Sequence, residues 1–130
     1  MKKIIILALL MGQIFAFTNI EATKSNIEKL NIPIVDIRLP SEWQATGTIP
    51  NVKKITFFTR RGSINPNFIT NLSKANITKN SKFAIICRTG HRSRVASEIL
   101  EKEGYKNIIN LKGGMYNLFK SLLKGMKNGK

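Results

Sequence analysis

Cys87 is the single cysteine of this 130-residue chain, and its position makes it a candidate nucleophile. The apolar run Phe83-Ala84-Ile85-Ile86 breaks into Cys87-Arg88-Thr89-Gly90-His91-Arg92-Ser93, and a helix-like stretch follows at once. A strand that ends in a cysteine, a loop with glycine and two arginines, and a helix start together make an anion cradle with a nucleophile at its base. Loop amides point inward and the helix N-terminus carries partial positive charge, to which Arg88 and Arg92 add full charges. Such surroundings favour the reactive thiolate. A small buried cysteine can also be inert packing, but the place at a strand end facing a Gly/Arg loop decides for chemistry.

The rest of the chain limits what that thiolate could do. No second cysteine is present, so dithiol exchange is out. His91 lies in the same loop, whereas the Cys/His pair of a papain-like protease comes from distant parts of the chain; His91 reads as a residue that shapes or charges the pocket. One Cys and one His do not make a zinc site, and no metal or organic cofactor is indicated. Attack on phosphorus and attack on sulfane sulfur, which forms a persulfide, remain. Cysteine phosphatases carry their loop arginine one residue farther along, where this chain has Ser93. The shorter loop predicts a tighter pocket, better suited to a sulfur atom than to a phosphoryl group. Arg88 and Arg92 are the best candidates to hold an anionic substrate.

These residues need a scaffold, and the pattern supplies one. Ser25-Asn26-Ile27-Glu28 reads as a capping box that opens a short helix stopping near Asn31. Ile34 to Arg38 is a short strand by β-branched content, and Ser41 caps a helical turn after it. Val52 to Phe58 has the look of a second strand. Asn65-Pro66 starts a helix with Phe68, Ile69 and Leu72 on one face. Ala84 to Cys87 is a continuous apolar strand, the kind buried on both faces of a parallel sheet. Val95, Ala96, Ile99 and Leu100 form a helical stripe, and Ile108 to Leu111 is another strand. Gly113-Gly114 makes a turn, and Met115, Leu118, Phe119, Leu122 and Met126 recur at helical spacing as core. Strands alternating with helices imply a mostly parallel sheet covered on both sides, with ligands beyond the carboxyl ends of the strands. Cys87 lies at such an end.

The first residues read differently. Met1-Lys2-Lys3, the aliphatic run Ile4 to Met11 and Gly12 to Ala16 have the layout of a secretory signal peptide. Cleavage is placed after Ala16, with Ala22 as the second candidate. The run is shorter than the ~20 residues a membrane span needs, so no stable membrane insertion is expected after cleavage. Residues 23–130 then form a single domain, periplasmic or secreted, where a lone cysteine is an unpaired thiol. With 22 basic and 7 acidic residues the net charge is +15. Scattered basic residues without an interleaved aromatic platform do not make a nucleic-acid site; the field instead draws in small anions.

Three segments, in order, resemble the rhodanese family of sulfurtransferases: Val35-Asp36-Ile37-Arg38 with Glu42-Trp43, the loop Cys87 to Ser93, and Asn110-Leu111-Lys112-Gly113-Gly114-Met115. The resemblance covers about residues 25 to 123. It implies a three-layer α/β/α fold with a central, mainly parallel sheet. It implies that Cys87 accepts sulfur from an anionic donor such as thiosulfate and passes it to a thiophilic acceptor, a thiol or a periplasmic protein. Arg88, Thr89, Gly90, His91 and Arg92 would bind the substrate, their amides stabilising the persulfide. Asp36 and Arg38 are expected to form an ion pair that braces the loop, with Trp43 packing at the same corner. The chain departs from the family where Gly47-Thr48-Ile49 replaces Gly-His-Ile and where Leu118 and Phe119 replace a tryptophan. A monomer is the default. The rival readings are a carrier that holds sulfane sulfur without turnover, and a phosphatase or arsenate reductase, against which the short loop and the missing resolving cysteine count.

Overall fold

The apolar run at Phe83 forms the middle of a parallel sheet. The computed structural model describes residues 17–127, so the signal-peptide reading with its cut after Ala16, and the end of the basic tail, lie outside the described residues. The central strand β4 (Lys82–Ile86) is flanked by β2 (Ile34–Asp36) and β5 (Asn107–Lys112), with β1 (Thr18–Glu21) and β3 (Lys53–Lys54) at the edges. The order is β1-β5-β4-β2-β3, and every pairing is parallel.

Side chains of β4 alternate between two cores, as a pleated strand requires. Phe83, Ile85 and Cys87 enter one core with Val35, Phe57, Phe68, Leu72 and Leu100. Ala84 and Ile86 enter the other with Ile109, Leu111, Met115 and Leu118. Helices α3 (Phe68–Lys74) and α4 (His91–Lys102) cover the first face; α1 (Lys24–Leu30) and α5 (Gly114–Lys127) cover the second. A short helix, α2 (Pro40–Thr46), follows β2. The result is the three-layer α/β/α arrangement, with Cys87 just beyond the carboxyl end of β4.

Several expectations need correction. Thr18–Glu21 pairs with β5 and Ala22 is fully buried, so the sheet begins upstream of a domain start at 23, and a cut after Ala22 would remove an edge strand. The α1 cap is Thr23, whose side chain accepts from the Asn26 amide at 3.2 Å, rather than Ser25. At α2 the cap position is Leu39, whose amide donates to Glu42 at 3.1 Å; Ser41 lies inside the helix. The stretch from Val52 to Phe58 has ladder pairing only at Lys53–Lys54, although the Ile55 and Phe57 amides reach the Asp36 and Ile37 carbonyls. Helix α3 starts at Phe68, later than Asn65-Pro66 suggested, because the Asn65 side chain bonds the Asn67 amide and the Thr56 carbonyl. Ile69 and Met126 are 46% and 70% exposed and belong to neither core.

The Asp36–Arg38 pair is as buried as any apolar residue, at 0% and 1% exposure. Arg38 Nη2 donates to Asp36 Oδ2 at 2.8 Å and to the Gly47 carbonyl at 2.8 Å, and Nη1 donates to Thr46 Oγ1 at 2.8 Å. This one guanidinium ties the end of β2 to the end of α2. Removing it strands a buried carboxylate, so Arg38→Met should lower stability by about 3–5 kcal/mol in a urea titration; a loss near zero would show the pair to be dispensable.

Candidate active site

The loop after β4 wraps around one sulfur atom. Cys87 is 1% exposed. Its Sγ accepts from the Gly90 amide at 3.1 Å and the Ser93 amide at 3.4 Å, and its thiol donates to Ser93 Oγ at 3.5 Å. Ser93 Oγ donates in turn to the Gly90 carbonyl at 3.2 Å, and Ser97 Oγ to the Ser93 carbonyl at 2.7 Å. Two backbone donors aimed at one sulfur, without rearrangement, are what a negative charge there requires.

The floor of the loop is the start of α5. The Met115 amide donates to the Cys87 carbonyl and the Tyr116 amide to the Arg88 carbonyl, both at 2.9 Å. This approach needs glycine: Gly114 has φ 61°, and a Cβ there would lie 2.5 Å from the Cys87 carbonyl oxygen. Gly90, at φ 99°, precedes α4, and a Cβ on it would lie 2.8 Å from the Gly113 nitrogen. What the sequence offers as a turn is the surface on which the loop is moulded.

The wall is α2. Arg92 Nη1 and Nη2 donate to Glu42 Oε1 and Oε2 at 2.7 and 2.8 Å, a bidentate pair that is partly buried on both sides. The hydrogen bonds from Arg92 hold the Glu42 carboxyl below its ordinary range, against the opposing effect of burial and with help from the Leu39 amide. The Glu42 carboxylate correspondingly raises the Arg92 guanidinium, which burial lowers less. The fork of Arg92 is therefore occupied by Glu42. Arg88 is exposed and, among the described residues, its side chain has no hydrogen bond or ion pair.

The loop residues singled out from sequence divide between two sides. Arg88 lines a cavity of about 320 Å³ with Arg38, Glu42, Met115, Tyr116 and Phe119. Thr89, Gly90 and His91 line a shallower one of about 250 Å³ with Asn19, Arg94 and Lys112. His91 is exposed and Cys87 lines neither, so no general-base contact to the sulfur is formed. Sequence reasoning missed Ser93 and Ser97 as site residues. Their signal is two serines one turn apart on the buried face of an otherwise apolar helix stripe, both 0% exposed.

The comparisons agree with this architecture. The family model for the Rhodanese-like domain matches residues 19–121. An uncharacterized protein of Rickettsia prowazekii (strain Madrid E) is 33% identical over 87 residues, 65% of this chain and 69% of that one. A protein of Allochromatium vinosum called a sulfurtransferase is 32% identical over 85 residues, again 65% of this chain and 69% of its own length. The crystal structure of a rhodanese-like domain protein from Staphylococcus aureus superposes with a TM-score of 0.59 at 30% identity, covering 77% of this chain and 89% of that one.

Proposed function

The chain belongs to the rhodanese-like domain family, and from that premise we propose that it is an exported sulfurtransferase that carries sulfur on Cys87. The observation that carries the reading is the pair of amides, Gly90 and Ser93, aimed at Cys87 Sγ. The Cys87 thiolate attacks the outer sulfur of an anionic donor such as thiosulfate. The donor's sulfur–sulfur bond breaks, sulfite leaves with the electron pair, and Cys87 holds a persulfide. A thiophilic acceptor then attacks the terminal sulfur and the thiolate returns; no external oxidant or reductant is required. Arg88 meets the incoming anion at the mouth, and the loop amides hold the charge that stays behind.

Export rests on the basic, then aliphatic, then small-residue order of residues 1–16. Mature protein recovered from the cell envelope and shortened at Ala16 is the expected result; uncut protein in the cytosol would contradict it. The activity is tested by thiocyanate formed from thiosulfate and cyanide, with saturable turnover expected. A second reading is a slow carrier, favoured by the 1% exposure of Cys87; full sulfur loading with negligible steady-state turnover would select it.

Glu42 is a positioning residue in this account. Glu42→Gln should lower kcat/KM for thiosulfate about tenfold, since the loop loses its anchor to α2. It should also change the pH dependence of stability. A carboxyl held below its unfolded value stabilises the fold at pH above about 4.3, and that contribution is lost as pH falls through the lower folded value. The variant's urea midpoint should therefore fall less than wild type's between about pH 6 and pH 3. Parallel curves would remove Glu42 from the role.

A further inference from the structure

We propose that the outward stripe of α5 is a docking surface for an acidic protein that presents a cysteine to the loaded Cys87; this rests on the sulfurtransferase reading. Helix α5 has one apolar face and, beside it, one that mixes apolar residues with lysines. Met115, Leu118, Phe119 and Leu122 pack against the sheet, which is all the fold needs. On an adjoining face Tyr116, Lys120, Leu123 and Lys127 recur at helical spacing, with Tyr116 61% and Leu123 60% exposed. Lys120 Nζ lies 5.5 Å from the Tyr116 ring centroid, and Lys124 stands beside the stripe.

The helix carries no Asp or Glu. In the depression between α5 and the β1–α1 turn, Glu21 is, among the described residues, the one acid lining the space with Lys120, Lys124 and Lys127. An exposed aromatic and leucine set among lysines match an acidic, partly apolar protein surface. From Tyr116 to Lys127 the stripe runs about 16 Å at 1.5 Å per residue, longer than a small thiol can cover.

The stripe also reaches the cavity beside the sulfur loop, since Tyr116 lines the same space of about 320 Å³ as Arg88, the residue after Cys87. An occupant of the stripe thus lies beside the loop that carries Cys87, whose Arg88 carbonyl accepts from the Tyr116 amide at 2.9 Å, and this favours a protein thiol over a lipid surface, which offers no sulfur acceptor. In the transfer, the acceptor thiolate attacks the terminal sulfur of the protonated persulfide. The bond to Cys87 breaks with its electron pair left on Cys87, and the transferred sulfur, with its proton, becomes the acceptor's persulfide.

The test uses the full mature chain, loaded with thiosulfate, freed of donor and checked by mass. It is mixed with three synthetic cysteine peptides of equal length, flanked by acidic, neutral or basic residues, and separately with 2-mercaptoethanol. Transfer to the acidic peptide should exceed that to the basic one by about tenfold at low salt and converge as salt rises. K120E/K127E, with an unchanged circular dichroism spectrum, should reverse the order and leave transfer to 2-mercaptoethanol unchanged. Equal rates for all three peptides overturn the proposal, as does an acidic preference that survives K120E/K127E. Stripe-dependent binding to phosphatidylglycerol vesicles without any peptide preference would assign the surface to membrane and overturn it too. Failure to load sulfur at all is a separate outcome, which removes the sulfurtransferase reading and the docking role with it.

Discussion

Cys87→Ser should reduce thiocyanate formation to the uncatalysed background, a loss on the order of 10³-fold or more, while the protein stays folded. The serine hydroxyl can occupy the place of Sγ and accept from the same Gly90 and Ser93 amides, so the loop keeps its shape. What it cannot supply is a polarisable anion that attacks sulfur and then holds it; the reactive species is the thiolate. The stability cost of placing a hydroxyl at a 1% exposed position should be about 1 kcal/mol, because that hydroxyl finds partners. A folded Cys87→Ser protein with wild-type turnover would end the assignment of the nucleophile.

Gly114→Ala should be the most damaging single methyl in the molecule. The added Cβ would meet the Cys87 carbonyl oxygen at 2.5 Å and the Arg88 carbonyl carbon and oxygen at 2.6 Å, all of them backbone. The residue also sits at φ 61°, which costs an L-residue about 1–2 kcal/mol before any clash. With the contacts, the loss should reach about 3 kcal/mol or more, and activity should fall with it because the displaced atoms are those of the sulfur loop. Gly62→Ala is the control. It has φ 84° but nothing within 4 Å, so only the conformational strain of about 1–2 kcal/mol applies. Urea midpoints and thiocyanate assays on both variants separate strain from collision; equal losses at the two sites would refute the close-approach argument.

What could be read from the sequence follows the range of the interactions. The strand ending in Cys87, the helix after it and the Gly-Gly turn are local patterns, and they appear where composition and periodicity put them. The Asp36–Arg38 pair spans two residues of one strand end and was equally visible. The Glu42–Arg92 bridge joins residues fifty apart, and nothing in the local sequence of either residue announces the other. The local sequence marks Arg92 as a cation of the loop and does not show that its fork pairs with Glu42.

Strand β1 was missed for a related reason. Thr18-Asn19-Ile20-Glu21 is short and half polar, and among the described residues its only ladder is with β5 at the far end of the chain. Helical spacing places Ile69 on one face with Phe68 and Leu72, and Met126 in the core stripe of the last helix. Each lies far enough around its helix to face outward, and periodicity over a few residues does not resolve that angle. Gly113 and Gly114 read as a turn, whereas the necessity of Gly114 comes from the Cys87 and Arg88 carbonyls of the loop after β4.

The most direct measurement is the intact mass of the purified mature protein before and after thiosulfate, with Cys87→Ser alongside. The account predicts a gain of one sulfur atom, removed by cyanide and absent from the variant. A mass unchanged by both thiosulfate and polysulfide, or a gain that persists in Cys87→Ser, would contradict it.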